Sequence, residues 1–448
     1  MKIFVRIFGF IVFLGVQIGA SAHSWTLQEC IDYAMKHNIS IRKTQLNRLS
    51  AYEDYMQSRS ALLPSLSAST SHNGTFRPFP ESSSGIVSNG YVQSGVDKFY
   101  YNGSYGVTGS WTVWDGNRNI NQRKLSEKAY IQAELDSAVA ANSIQEQIVQ
   151  LYVQILYSSE AISVHESNLE TSRKNEERGQ QFVEVGKMSR ADLSQLVAQR
   201  AQDEYDLVEA QSNLRNYKRQ LKQLLQICDD SEFDVSVPSA TDEMALQELP
   251  LLQSVYAEAY EHRPEIKNAL VGIDMSNLSI AMAKAQRLPT VSLNASAITN
   301  TSSLAERSWG TQIKNNFNLG AGFTVNIPIL DNRSARTAIN KANIQRESYV
   351  LELEDKATEL YSTIENYWIQ ASINQNKFRA AQVASQSQQE SYELLSEQFR
   401  LGLKNIVELM SGKDNLIAAK QNELQSKYLT ILYINMLQFY RDGHFVNQ

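Results

Sequence analysis

The chain is written twice, and that repetition limits what it can fold into. His37-Asn38-Ile39-Ser40-Ile41 returns as His262-Arg263-Pro264-Glu265-Ile266, and Leu63-Pro64-Ser65-Leu66-Ser67 as Leu288-Pro289-Thr290-Val291-Ser292, both 225 residues on. Trp114-Asp115-Gly116-Asn117 then matches Leu330-Asp331-Asn332-Arg333, Val183-Glu184-Val185-Gly186 matches Phe399-Arg400-Leu401-Gly402, and Asp192 matches Glu408, all at an offset of 216. The difference of nine lies between Pro64 and Asp115. The first copy therefore has a longer loop near residues 72–98, where Gly74, Pro78, Pro80, Gly85 and Gly90 have a loop's composition. A tandem duplication calls for two similar units packed together. The expected division is a first repeat over 23–227, a linker and irregular equatorial region over 228–250 with Pro238 and Pro250, and a second repeat over 251–448.

Within each copy two periodicities alternate. Residues 26–61 lack Gly and Pro and place Leu27, Cys30, Ile31 and Ala34 at three- and four-residue spacing, which predicts one helix. After Pro64 the period becomes two. Tyr101, Tyr105, Val107, Trp111 and Val113 alternate with Asn102, Ser104, Thr108, Ser110 and Thr112. The second copy does the same with Val291, Leu293, Ala295 and Ala297, and again with Phe317, Leu319, Phe323, Val325, Ile327 and Ile329. The hairpins are expected at about 64–114 and 289–330. One face apolar and aromatic, the other small and polar, suits a strand between lipid and water; an ordinary half-buried soluble strand is the competing reading. Strand length and a polar face almost without charge favour the membrane, where a spanning strand needs about 9–11 residues.

Long helices follow. Residues 117–186 contain no Pro and no Gly before Gly179, and 332–402 repeat the pattern. About 70 helical residues at 1.5 Å each span roughly 100 Å. Such a rod has no globular core to serve and must pack sideways on others like it. Each rod ends at a short turn, Gly186-Lys187-Met188-Ser189 or Gly402-Leu403-Lys404-Asn405, before helical spacing resumes. Four strands per chain cannot close a barrel, and an open edge in lipid is not tolerated, so several chains must pool their strands.

The N-terminus sets the compartment. Lys2 and Arg6 precede an apolar run over 7–19, and Ala20-Ser21-Ala22 offers a small-x-small cleavage site, so residues 1–22 read as a cleaved signal peptide. No Cys lies near that site, and the mature chain is expected to carry no lipid. Formal net charge is −6, and losing Lys2 and Arg6 makes it −8, which gives no footprint for nucleic acid. A mean hydropathy of −0.36 excludes a polytopic helical membrane protein but not a β-barrel. Cys30 and Cys228 are the only cysteines. A disulfide is open to an exported protein, but two buried thiols are the expectation.

No constellation for catalysis is present. The six histidines, His23, His37, His72, His165, His262 and His444, have no metal-ligand spacing. Phosphate-cradling, dinucleotide-binding and nucleophile-elbow motifs are missing. Neither an enzymatic role nor a cofactor is expected.

These features together resemble the TolC-type outer-membrane efflux family over essentially the whole mature chain. The resemblance rests on the Leu-Pro-Ser/Thr step from helix to strand, the Trp/Leu-Asp-Gly/Asn step from strand to helix, and the Val/Phe-x-x-Gly-x-x-x-x-x-Asp/Glu helix turn, each doubled in order. It implies a mostly α fold with membrane β: a homotrimer whose four strands per chain form a twelve-stranded outer-membrane barrel, continuous with a long periplasmic α-helical barrel. It also implies a passive exit duct for small toxic compounds, with a periplasmic adaptor and an inner-membrane transporter as partners. Alternatives are the outer-membrane component of a type I protein secretion system or, in a different class, a structural cell-surface coiled-coil protein. By the same resemblance Phe399, Lys404, Glu408 and Asp192 belong to a periplasmic gate or constriction. Gly186, Lys187, Ser189, Arg190, Gly402 and Leu403 would form adaptor-docking tips. Ser411 stands one turn beyond Glu408, where members of the family can carry a second acid. Apart from the resemblance, Lys404 and Glu408 also read as a solvated i,i+4 pair.

Overall fold

The switches of period at Pro64 and Pro289 and at Asp115 and Asp331 divide the chain into helices and strands. The computed structural model of the chain describes residues 24–79, 86–88, 91–93, 98–228, 233–236, 241–443 and 445. The expected signal peptide, part of the long first loop and parts of 228–250 lie outside the described residues. The first copy runs β1 (Ser24–Trp25), α1 (Leu27–His37), α2 (Ile39–Ser60), β2 (Ser65–Phe76), β3 (Ile86–Ser88), β4 (Tyr91–Gln93), β5 (Phe99–Trp114), α3 (Arg118–Glu184) and α4 (Arg190–Leu225). Next come β6 (Asp234–Val235), paired in parallel with β1, and α5 (Asp242–Ala245). The second copy is α6 (Leu252–His262), α7 (Pro264–Ala285), β7 (Thr290–Ser302), α8 (Trp309–Asn315), β8 (Asn318–Asn326), α9 (Ser334–Arg400) and α10 (Ile406–Asp442). Both long rods have 67 residues, and the helices that follow have 36 and 37.

The single helix expected over 26–61 is two helices. Asn38, with ψ 126°, leaves the helical region, and its Oδ1 accepts from the Ser40 and Ile41 amides. Its Nδ2 donates to Leu224 O at 2.9 Å, tying the break to the end of α4. An asparagine that caps one helix while ending another is an N-cap signal that the Gly- and Pro-free composition concealed. The second copy breaks at the matching Arg263, where Pro264 takes the first helical position.

The four long strands form one antiparallel sheet in the order β2-β5-β7-β8. Trp111 opposes Leu293, which opposes Phe323; Val107 opposes Ala297, which opposes Leu319; Leu66 opposes Gly109. Register thus gathers the apolar residues of the four strands on one face, apart from Ile298, which lies opposite Gly106 and Asn318 on the other; on the apolar face Leu319 and Phe323 are each 76% exposed. The other face is Ser67, Thr108, Ser296 and Gly320 in one row and Ser65, Ser110, Asn294 and Gly322 in the next. Tyr101, Tyr105, Trp111 and Phe323 share the apolar face, and Asn102, Thr108, Asn318 and Thr324 the polar one. Two further details depart from the alternation. A bulge between Thr112 and Trp114 sets Trp114, an even-numbered residue, opposite Val291. The last strand ends at Asn326, short of Ile327 and Ile329, because Pro328 has no N–H for a ladder, and Phe317 precedes it.

At each strand-to-helix step an aspartate anchors the rod. Asp115 Oδ2 accepts from the Asn119 amide at 3.0 Å, and Asp331 Oδ2 from the Ala335 amide at 2.8 Å. Apolar burial concentrates in two belts. One joins Cys30, Ile31, Ile148, Tyr152, Ile155, Leu221 and Leu225; the other joins Val255, Ile266, Ile364, Leu437 and Phe439. In α9 the buried positions Ile364, Ala371, Phe378, Ser385, Tyr392 and Phe399 recur every seven residues, the repeat of helices that supercoil left-handedly. No described helix is long and apolar enough to cross a membrane. Both cysteines are free; Cys30 is buried, but Cys228 is exposed, contrary to the expectation of two buried thiols.

Candidate functional site

The two helix turns are built alike from their sequences. Past α3, Gly186 takes φ +72°; its amide donates to Val183 O and that of Lys187 to Phe182 O. Past α9, Gly402 takes φ +76°, its amide donating to Phe399 O and that of Leu403 to Gln398 O. This paired bonding satisfies the last carbonyls of a helix and needs a residue at ease with positive φ. Three residues later Ser189 and Asn405 start the next helices. Ser189 Oγ accepts from the Asp192 amide at 3.1 Å, and Asn405 Oδ1 from the Glu408 amide at 2.9 Å.

Asp192 and Glu408 thus sit at the third position of their helices, where a carboxylate also favours the positive end of the helix dipole. Ser189 Oγ donates to Asp192 Oδ2 at 2.8 Å, and Asn405 Nδ2 to Glu408 Oε1 at 3.3 Å. Lys404 Nζ lies 2.7 Å from Glu408 Oε2, with both side chains substantially exposed. Phe399 is buried in a tip cluster with Leu196, Tyr392, Ile406, Leu409 and Leu416, its ring 6.3 Å from that of Phe182 on α3. The structure therefore brings the ends of the two hairpins together through apolar side chains. Among the described residues no hydrogen bond or ion pair links Asp192 to Lys404 or Glu408. Gly186, Lys187, Ser189, Arg190, Gly402 and Leu403 are exposed at the tips.

Beside the tip cluster lies a polar group that the sequence reading missed. Lys413 on α10 reaches Asp203 Oδ2 on α4 at 2.5 Å and donates to Ser172 Oγ on α3 at 2.5 Å, while Ser172 donates to Asp203 Oδ2. Asn168 and Gln199 donate to Asp203 Oδ1 at 3.0 and 3.1 Å. The side chains of Lys413 and Asp203 are 4% and 2% exposed. A signal was present: Lys413 follows buried Ile406, and Asp203 follows buried Leu196, by seven residues each, so both charges occupy positions of an inward stripe. Next to Lys413, burial raises the Asp414 carboxyl above its ordinary value, against the pull of Lys413.

The described residues include no cluster of His, Cys, Asp or Glu able to hold a metal ion. The carboxylates found here act as caps and ion-pair partners. Such groups can hold a helix end in place and give charge to a passage.

A family model described as outer membrane efflux protein matches residues 30–225 and 255–435, one segment in each repeat. The chain is 24% identical over 410 residues to the probable efflux pump outer membrane protein TtgC of Pseudomonas putida, covering 89% of this chain and 79% of that protein. It is 23% identical over 419 residues to the outer membrane protein TolC of Escherichia coli, covering 90% and 79%. The solved CmeC outer membrane channel of Campylobacter jejuni shares the fold, with a TM-score of 0.77 at 17% identity over 94% of this chain and 86% of that one.

Proposed function

This chain belongs to the outer membrane efflux protein family, and on that premise we propose that three copies form a passive outer-membrane exit duct for small toxic compounds. The observation that carries this reading is the four-stranded sheet, which among the described residues has one apolar face uncovered and both outer strands, β2 and β8, without a second neighbour. In lipid each unsatisfied backbone group costs several kcal/mol, so such a sheet is stable only when closed. Three chains supply twelve strands, an even number within the range of bacterial barrels. A stalk with no transport role would need neither the sheet nor its sidedness. The rods, about 100 Å long, carry the passage away from the membrane into the periplasm.

In this reading the exposed tips at Gly186, Lys187, Ser189, Arg190, Gly402 and Leu403 dock a periplasmic adaptor, which links the duct to an inner-membrane transporter. Lys404, Glu408 and Asp192 place charge at the narrow end, repeated three times by the symmetry of the assembly, and Phe399 holds the tip's core. A ring of carboxylates around a narrow wet bore attracts cations. The test is single-channel recording in planar bilayers under a salt gradient. Wild type should conduct, Lys404→Ala should raise resting conductance, and Glu408→Ala should shift the reversal potential toward lower cation preference. Glu166→Ala, at an exposed position about five turns short of the end of α3, should change neither. Absence of any conductance from wild type would refute the duct.

A further inference from the structure

The outer end of the sheet's apolar face, the end farthest from the rods, is built differently from the rest. Past Val107, Ala297 and Leu319, Thr70, Tyr105 and Thr299 form one row, and His72, Gly103 and Thr301 the next. Above these only β2 and β5 continue on this face, pairing Gly74 with Tyr101 and Phe76 with Phe99. The helix α8 folds back onto the same face. Thr299 Oγ1 donates to Ile313 O at 2.8 Å, and the buried Gln312 holds the Ser302 backbone through both atoms of its amide, at 2.7 and 3.1 Å. Held in this way, α8 presents Trp309 with 58% of it exposed.

Two kinds of ring follow one another up this face. The lower ones have polar tips that meet. Trp309 Nε1 donates to the Tyr105 hydroxyl at 3.3 Å, and the Tyr101 hydroxyl bonds His72 Nδ1. The upper ones have none. Phe99 leans over Gly74, with ring atoms 3.1 and 3.3 Å from where a Cβ would stand, and faces Phe76 across the ladder. Both phenylalanines are more than 60% exposed.

Their height gives this order a meaning. A strand advances about 3.3 Å per residue and tilts about 35–45° in a membrane barrel, so each residue climbs about 2.5 Å. From Trp111 to Tyr101 the strand therefore climbs about 25 Å, the height of the apolar band. Tyr101 and His72 lie at its outer boundary, where rings with one wet end belong. Phe76 and Phe99 stand about 5 Å higher, among the lipid headgroups. A phenyl ring offers nothing to water or to a bare phosphate there. It does offer a flat face of partial negative charge, which attracts the partly positive C–H bonds on the face of a sugar ring. A saccharide also carries hydroxyls that match the tyrosine and tryptophan tips below.

We propose that Phe76 and Phe99, above Tyr101, Tyr105 and Trp309, form a docking surface for the saccharide headgroup of a glycolipid in the outer leaflet. Its acyl chains lie against the aliphatic rows below, so the surface is continuous with the lipid-facing band. The proposal rests on reading the sheet as part of an outer-membrane barrel, and it seats one such lipid site per chain around the exit mouth.

The test uses the full mature protein in detergent micelles doped with lipid A, an acylated and phosphorylated glucosamine disaccharide, or with phosphatidylglycerol. Native mass spectrometry counts the lipid retained. Lipid A should bind with about tenfold higher affinity than phosphatidylglycerol. Phe76→Leu/Phe99→Leu keeps apolar bulk but removes the ring faces, and should bring the two lipids close to parity. Trp309→Leu should lower the preference about threefold and serves if the double variant does not assemble. Leu319→Ala, in the aliphatic rows, should leave the preference unchanged. A wild type without preference, or leucine variants that keep it, overturns the surface; a preference carried by the phosphates alone would survive those variants. Equally tight binding of the deacylated disaccharide from solution overturns the assignment to a membrane lipid. A monomeric wild type overturns the barrel instead, and the lipid comparison still decides the surface, which lies within one chain.

Discussion

Arg263 illustrates how much one side chain can hold. It occupies the position of Asn38 in the duplicated pattern, but its guanidinium reaches across to Glu146 on α3 and back to Glu265, each at 3.2 Å. It also lies over the Tyr440 ring at 4.0 Å. Buried guanidinium groups need such partners, and Arg263→Ala should cost about 3–5 kcal/mol by stranding Glu146, measurable as a lowered unfolding temperature in detergent. Burial raises the Glu146 carboxyl above its ordinary value although Arg263 pulls it down. A raised acid binds more protons folded than unfolded, so its contribution to stability falls as pH rises through the window above the usual glutamate value. Glu146→Gln should flatten that part of the pH–stability curve. The cysteines give a second prediction. Burial pushes the Cys30 thiol up to about 12, leaving almost no thiolate at neutral pH, whereas Cys228 is exposed. Alkylation at pH 8 should add one group per native chain and two after denaturation, by intact mass; two on the native chain would contradict this packing. Neither partner of Arg263 was legible in the sequence, where the arginine stood only as one member of a repeated motif.

For whole elements, periodicity was a good guide wherever one face did one thing. The odd-even alternation assigned the strand faces correctly through most of β5, β7 and β8, because a side chain's face follows from its position along a strand. It could not show the bulge that sends Trp114 to the apolar face, since a bulge appears only when two strands are aligned. Cysteine scanning of the assembled protein should therefore label Thr108 and Ser296 at least tenfold faster than Val107 and Ala297 with a water-soluble reagent. Trp114→Cys should label as slowly as the apolar series. Equal rates on both faces would point to soluble strands. The rods were legible from missing Gly and Pro, but the helix break at Asn38 was not. The capping roles of Ser189 with Asp192 and Asn405 with Glu408 are present in the sequence as a local pattern, S/N-x-x-D/E.

For the whole molecule, among the described residues the sheet of one chain has two unpaired edges and an uncovered apolar face, and Leu46 and Leu49 on α2 and Ile344, Leu351 and Leu394 on α9 stand in the open. Detergent-extracted mature protein should accordingly have the mass of three chains by native mass spectrometry; a stable monomer would refute the twelve-stranded closure. The amino-acid sequence by itself determined the duplication, the order of helix and strand, the lengths of the rods and the sidedness of the sheet. All of these are one-dimensional patterns, set by which residues recur every two, three and a half or two hundred positions. Only the tertiary structure decided which helix meets which. Lys413 finds Asp203 from 210 residues away, and Arg263 finds Glu146 from 117. The physical reason is that a period marks the face a helix will bury without naming its partner. A charge on that face is tolerated only when packing brings it an opposite charge and enough hydrogen bonds.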